Sequence, residues 1–162
     1  MDEEFGRFAA ARGRALCRTA FLLTGDWQAG EDLVQEALTK TYLRRRRLRG
    51  AAALEPYSRK VLISLFLTSR RRRWHGELPV AEIPDHAANG QLDAAEDRRG
   101  LWSALLSLSA QQRAVLVLRY FEDLTEAEIA TVLSCSPGAV KTHAARGLER
   151  LRKTIALEEW TR

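Results

Sequence analysis

The sequence predicts an all-α fold: two small helical domains joined by a flexible acidic linker, the second domain containing a helix-turn-helix. Three observations predict it. Apolar residues recur at helical spacing through most of the chain, and no stretch alternates convincingly enough for a strand. The periodicity stops after His75, where Gly76, Pro79, Pro84, Asn89 and Gly90 punctuate a stretch too long for a turn inside one domain. The stretch Leu124–Arg152, LTEAEIATVLSCSPGAVKTHAARGLERLR, reads as two helices joined by a tight turn. The expected organisation is an N-terminal domain over 1–75, a linker over 76–93 and a C-terminal domain over 94–162.

Composition bounds the function. The chain has 162 residues, 46% apolar and 29% charged, which suits a soluble globular protein and not a disordered one. Its formal charge of +5 favours a polyanionic partner only weakly, but the charge is unevenly placed. Residues 1–75 hold 16 Lys/Arg against 8 Asp/Glu; residues 76–95 hold 4 Asp/Glu and no Lys/Arg; residues 96–162 hold 10 against 9. The basic half is the N-terminal one. Cys17 and Cys135 make no disulfide framework and are expected as reduced thiols in a cytoplasmic protein. No apolar run approaches a membrane span, and the start, MDEEFGRF, lacks a signal core. His75, His86 and His143 do not cluster with the cysteines, and no nucleotide loop or metal spacing appears. An enzyme, a cofactor, a metal and a small-molecule substrate are therefore not expected.

Each element has a local reason. Phe5, Phe8, Ala15, Leu16, Thr19, Leu22 and Leu23 predict a helix over Glu3–Leu23, ended by Thr24-Gly25. Asp26 caps a second over Trp27–Arg46. Its apolar face includes Trp27, Gly30, Val34, Ala37, Leu38, Thr41 and Tyr42, and its other face holds Glu31, Asp32, Gln35 and Glu36. Gly50 to Ala53 make a break, and Pro56 suits the first turn of a third helix over Glu55–Trp74. A fourth covers Ala94–Leu106. Ser109 with Gln112, and Thr125 with Glu128, are capping boxes for helices five and six. Ser136 caps helix seven with Pro137 at its first position, where the missing N–H costs nothing. Two features run against preference: Ser134 stands where a helix end prefers Gly, and Gly147 lies mid-helix at a cost of roughly 1 kcal/mol against Ala.

Helix seven carries the clearest chemistry. Val140, Ala144, Leu148, Leu151 and Ile155 form one packing stripe. The opposite side of its first turns is Pro137, Gly138, Lys141, Thr142, Ala145 and Arg146. Small residues admit a close DNA backbone; Lys141 and Arg146 suit phosphates or guanine edges, and Thr142 suits either. The bland alternative is a helical hairpin with a solvated basic face. In the N-terminal domain, Arg44–Arg47 with Arg49, and Arg70–Arg73, end helices two and three. They suit either the negative helix terminus or nucleic acid, and Tyr57 and Trp74 add aromatic faces nearby. The Glu31, Asp32 and Glu36 cluster repels DNA and is either solvated surface or a docking face for a basic protein.

These residues together resemble a known family. Gly25-Asp26-Trp27 with Glu31-Asp32-Leu33-Val34-Gln35-Glu36-Ala37 resembles the polymerase-binding helix of bacterial RNA polymerase sigma factors. Ser107-Leu108-Ser109, Gln112-Arg113, Leu116, Leu118-Arg119, Leu124-Thr125, Glu128-Ile129-Ala130 and the run from Cys135 to Thr142 resemble their promoter-binding C-terminal domain. The likeness covers nearly the whole chain apart from the linker, and the two motif sets in this order are highly specific. Two helical domains with a short linker resemble the extracytoplasmic-function (ECF) class, and the Tyr57, Arg59-Lys60, Arg70–Arg73, Trp74 segment looks like its actinobacterial, sigma-E-type branch.

The resemblance implies roles. Glu31, Asp32, Gln35 and Glu36 would dock on the clamp helices of core RNA polymerase. Tyr57, Arg59, Lys60, Arg70, Arg71, Arg72, Arg73 and Trp74 would hold and open the downstream promoter element. Ser136, Pro137, Gly138, Lys141, Thr142, Ala145 and Arg146, with Arg113 and Arg119, would bind the upstream element. The linker would run through the polymerase cleft, and an anti-sigma protein is admitted as a further partner. Ser64 stands where the family usually has Asn, and the family often carries an aromatic residue near the position of Arg45. The competing readings are a stand-alone helix-turn-helix regulator that binds two half-sites as a dimer, and an adaptor with no DNA role.

Overall fold

The first helix, α1 (Glu3–Thr24), ends where Gly25 adopts a φ of +77°. The Thr24 hydroxyl donates to the Ala20 carbonyl at 2.8 Å and accepts from the Asp26 N–H at 3.3 Å, closing the turn. Asp26 then caps α2 (Trp27–Arg44), its carboxylate accepting from the Gln28 N–H at 2.9 Å. This computed structural model describes the backbone of residues 3–73, 100 and 103–160, and the side chains of 3–69, 100 and 103–155. Among those residues there is no strand, and no helix is long and apolar enough to cross a membrane. The chain forms two compact units, Met1–Glu77 and Leu78–Arg162.

In the first unit α1, α2 and α3 (Leu54–Arg73) pack on one another in all three pairs. Leu16, Ala20, Leu23, Val34, Ala37, Leu62, Ile63 and Phe66 form the buried centre. Gly30 lets α1 and α2 approach backbone to backbone: a Cβ there would lie 3.2 Å from the Phe21 nitrogen. Phe21 and Trp27 stack across the same corner, with ring centroids 4.5 Å apart. The Thr41 and Ser58 hydroxyls, both fully buried, meet at 2.9 Å between α2 and α3. Because Thr41 gives its proton to the Ala37 carbonyl at 2.8 Å, Ser58 is the donor of that pair.

Helix two is shorter than the sequence predicts. It stops at Arg44 and tightens into a 3-10 turn over Arg45–Arg47. Arg45 causes this. Its guanidinium lies 3.8 Å over the Tyr42 ring and donates to the Tyr42 carbonyl at 2.7 Å, satisfying a helix-end acceptor from the side. Gly50, at a φ of +81°, then turns the chain into a second 3-10 turn, Ala51–Ala53, that leads into α3.

In the second unit, residues 103–106 are the described end of a fourth helix (α4), whose earlier part falls largely outside the described residues. Helices α5 (Ala110–Tyr120), α6 (Glu126–Leu133) and α7 (Pro137–Trp160) follow. Both predicted capping boxes form: Ser109 and Gln112 cap α5, and Thr125 and Glu128 cap α6. α7 packs on α5 and α6 through Val140 and Ala144. Gly147 has a packing reason, since a Cβ there would come within 2.9 Å of Cδ1 of buried Leu116. Farther along the stripe Leu148 and Leu151 are half-buried and Ile155 is exposed.

Both cysteines are free. Burial, and behind it the negative charge of Glu31, pushes the Cys17 thiol up from its ordinary range. That keeps it neutral and a poor nucleophile.

Candidate functional site

The turn between α6 and α7 is built by the residue whose type the sequence disfavours. Ser134 takes the left-handed conformation, φ +53° and ψ +46°. Its N–H donates to the Thr131 carbonyl at 3.3 Å, and the Cys135 N–H donates to the Ala130 carbonyl at 3.0 Å. These two bonds are the Schellman pattern that closes a helix, with serine in the place glycine usually takes. Ser136 starts α7 by accepting from the Ala139 N–H at 3.1 Å. A tight, doubly hydrogen-bonded turn therefore fixes the direction in which α7 leaves α6.

That direction determines what α7 presents. Pro137, Gly138, Lys141, Thr142, Ala145 and Arg146 are all exposed, while Val140 and Ala144 are buried. The six lie on one side because they fall at i, i+1, i+4, i+5, i+8 and i+9 of a helix. Thr142 donates its hydroxyl proton to the Gly138 carbonyl at 3.0 Å, so its oxygen faces outward as an acceptor. The result is a low ridge of small residues that carries two cations, Lys141 and Arg146.

Two cations from the sequence-predicted set meet a carboxylate. Arg119, at the end of α5, lies 3.4 Å from Oε1 of Glu126; Lys141, on α7, lies 3.9 Å from its Oε2. Glu126 lies outside the set of residues that the sequence points to. It stands one position after the capping Thr125, and spacing alone gives no sign that it bridges two other helices.

The expectation that Arg113 contacts DNA is overturned. Its side chain is fully buried. Its guanidinium donates from Nε to the Leu105 carbonyl at 2.9 Å, and from one terminal nitrogen to the carbonyls of Leu106 and Leu108, both at 3.1 Å. Arg113 is thus a clamp that holds the end of α4 and its following turn against α5. The charge is stabilised by helix-end carbonyls, whose dipoles point their negative ends at it.

Arg59 departs from expectation in the same way, though less completely. Its side chain is 13% exposed and lies 3.4 Å from Glu55, which also binds Arg12 of α1. The trio ties α1 to α3, so Arg59 is not a free cation. Lys60 is exposed and Tyr57 half-buried. The side chains of Arg70, Arg71, Arg72 and Arg73, and all of Trp74, lie outside the described residues. On α2, Glu31, Asp32, Gln35 and Glu36 are all exposed, directly opposite buried Leu33, Val34 and Ala37. Gln28 donates to Asp32 at 3.1 Å and Lys40 stands 4.0 Å from Glu36, both along the helix surface.

Comparison with known proteins accounts for both units. Residues 8–76 match the model of sigma-70 region 2, and residues 98–151 match that of sigma-70, region 4. Over 152 residues the chain is 34% identical to RNA polymerase sigma-E factor of Streptomyces avermitilis, covering 94% of this chain and 85% of that protein. The chain belongs to the bacterial RNA polymerase sigma factors.

Its class follows from a second relative. This sigma factor is 31% identical over 145 residues to ECF RNA polymerase sigma factor SigL of Mycobacterium tuberculosis, covering 86% of this chain and 82% of SigL. That places it in the ECF class. Its fold matches that of the sigma factor RpoE from Bartonella quintana, solved in complex with the anti-sigma factor NepR. The TM-score is 0.79 over 96% of this chain and 98% of that one, at 24% identity. The acidic face of α2 lies inside the span matching region 2, and the helix-turn-helix lies inside that matching region 4.

Proposed function

We propose that this alternative sigma factor gives core RNA polymerase its promoter specificity through three surfaces. The acidic face of α2 with Glu31, Asp32, Gln35 and Glu36 docks on the polymerase. Tyr57, Lys60 and the Arg70–Arg73 end of α3, with Trp74, hold the downstream promoter element and help to open it. The ridge of α7, capped by Ser136 and carrying Lys141, Thr142 and Arg146, reads the upstream element in the major groove, with Arg119 at its edge. The protein works in the cytoplasm as an initiation factor and performs no chemistry of its own.

The observation that carries this reading is the exposed ridge of α7. Cations and small residues share one side of a helix whose other side is buried, and a rigid turn aims it. A groove-reading helix needs small residues where the backbone approaches and donors where the bases lie. The outward acceptor of Thr142 suits the exocyclic amino group of cytosine or adenine, and Arg146 suits the two acceptors on a guanine edge.

Electrophoretic and fluorescence binding of a promoter duplex tests the reading. Tight, sequence-selective binding is expected only when core polymerase is present. Equally tight binding by the chain alone, as a dimer on two half-sites, would contradict it. In the same assay Arg146→Ala is expected to weaken the promoter complex by roughly 1–3 kcal/mol, selectively for the native upstream sequence. A loss that is uniform over all sequences, with a salt slope shallower by about 0.9, would make Arg146 a phosphate contact instead.

A further inference from the structure

Glu126 opens α6 beside the α7 ridge and reaches cations on two other helices. Its side chain is 31% exposed, Arg119 is 39% exposed and Lys141 is 69% exposed. The carboxylate divides its oxygens, Oε1 towards Arg119 and Oε2 towards Lys141. The other acid of that first turn is engaged elsewhere, since Glu128 accepts from the Thr125 N–H at 3.1 Å and completes the capping box. Helix capping therefore does not require Glu126. An anion with separate oxygens, set between a guanidinium and an ammonium, occupies the kind of position that a backbone phosphate takes between the same cations.

We propose that Glu126 is an intramolecular phosphate surrogate, competing with DNA phosphate for Lys141 and Arg119 and so holding down sequence-independent DNA binding by the α7 ridge. This rests on the reading of that ridge as a DNA-binding surface. Lys141 is the looser and more exposed partner, 3.9 Å from the carboxylate against 3.4 Å for Arg119. A phosphate takes Lys141 first, while Arg119 stays on Glu126. Binding thus exchanges one ion pair for another, and the net gain from charge alone is small. The complex is then left to depend on base contacts that Glu126 cannot imitate. Glu126 is a specificity-determining residue that acts through its neighbours and touches no base.

The test uses the full chain, a fluorescent duplex of random sequence, and a salt series. Glu126→Gln, close in size and still polar, is expected to tighten random-duplex binding about 3- to 10-fold at low salt. It should also steepen the slope of log affinity against log salt by about 0.9, the value of one added phosphate contact. Glu128→Gln removes the same charge two residues away and keeps an amide oxygen for the cap, so it should change neither. Lys141→Ala is expected to weaken random-duplex binding and to reduce the gain from Glu126→Gln in the double variant, leaving only the share that released Arg119 supplies. Circular dichroism of each variant confirms the fold. Weakened or unchanged binding in Glu126→Gln, while Lys141→Ala still weakens binding, overturns the surrogate role alone. An equal gain from Glu128→Gln also overturns it, because the effect would then be general charge. If Lys141→Ala and Arg146→Ala leave DNA binding intact, the DNA-facing ridge and the surrogate role fall together.

Discussion

Arg113→Ala is expected to unfold the C-terminal unit, although Arg113 touches the helix-turn-helix only through the core. The substitution removes a fully buried guanidinium and leaves the carbonyls of Leu105, Leu106 and Leu108 without that donor. The Leu105 carbonyl keeps the Leu108 N–H as a donor at 3.2 Å, but the Leu106 and Leu108 carbonyls lose this one, and each buried acceptor left unsatisfied costs about 1–3 kcal/mol. For a unit of this size that corresponds to a fall in melting temperature of more than about 10 °C. Arg113→Lys is expected to fall nearly as far, because an ammonium on a flexible stem does not reproduce the planar fork that reaches three carbonyls. Thermal unfolding followed by circular dichroism checks this. α7 packs on α5, so promoter binding should fail as a consequence of unfolding. A variant that melts like the parent but binds DNA poorly would restore Arg113 to the DNA-contacting set.

Asp32→Arg with Glu36→Arg should do the reverse: leave the fold intact and abolish polymerase binding. Both side chains are exposed, and the buried residues of that stretch, Leu33, Val34 and Ala37, are untouched. Two arginines at i and i+4 repel by only about 0.2–0.5 kcal/mol. The lost Lys40–Glu36 pair, at 4.0 Å on the surface, contributes no more than about 1 kcal/mol. Against a basic partner the change is severe. Like charges brought together across an interface cost several kcal/mol, and every 1.4 kcal/mol is tenfold in affinity. Co-purification with core polymerase should drop to background while the melting temperature moves by only a few degrees. Undiminished co-purification would remove the acidic face of α2 from the docking role.

These two variants separate what the sequence makes legible from what it conceals. Capping boxes at Ser109 and Thr125 are local: a hydroxyl, three residues and an amide or carboxylate suffice to specify them. The division of α2 into acidic and apolar faces follows from helical period alone, as does the exposed ridge of α7. Whether an arginine is a clamp or a contact depends on which segment folds back over it, and that is a tertiary fact. Arg113 and Arg119 lie on one helix and read alike as cations. The end of α4 covers the first, and the second stays 39% exposed. A faint signal existed. Arg113 shares a helical face with Leu116 and Val117, and Arg59 shares one with Leu62, Ile63 and Phe66, all of them buried. A cation inside an apolar stripe is more often a satisfied structural group than a free one.

Ser134 shows the opposite failure. Residue preference argues against it at a helix end, yet it takes the left-handed conformation and closes the Schellman turn. The packing of α7 on α5 and α6 determines that backbone more strongly than the preference of one residue does. Gly147 likewise appears as a cost along the helix and becomes intelligible only when Leu116 is seen against it.

Run-off transcription tests whether this chain confers promoter specificity on RNA polymerase, with core polymerase, the DNA upstream of this protein's own gene as template, and the chain added or withheld. A discrete transcript that appears only when both polymerase and chain are present, and that disappears with Asp32→Arg and Glu36→Arg together, is the predicted result. A transcript pattern unchanged by the chain, with the chain bound to that DNA in the absence of polymerase, would contradict it.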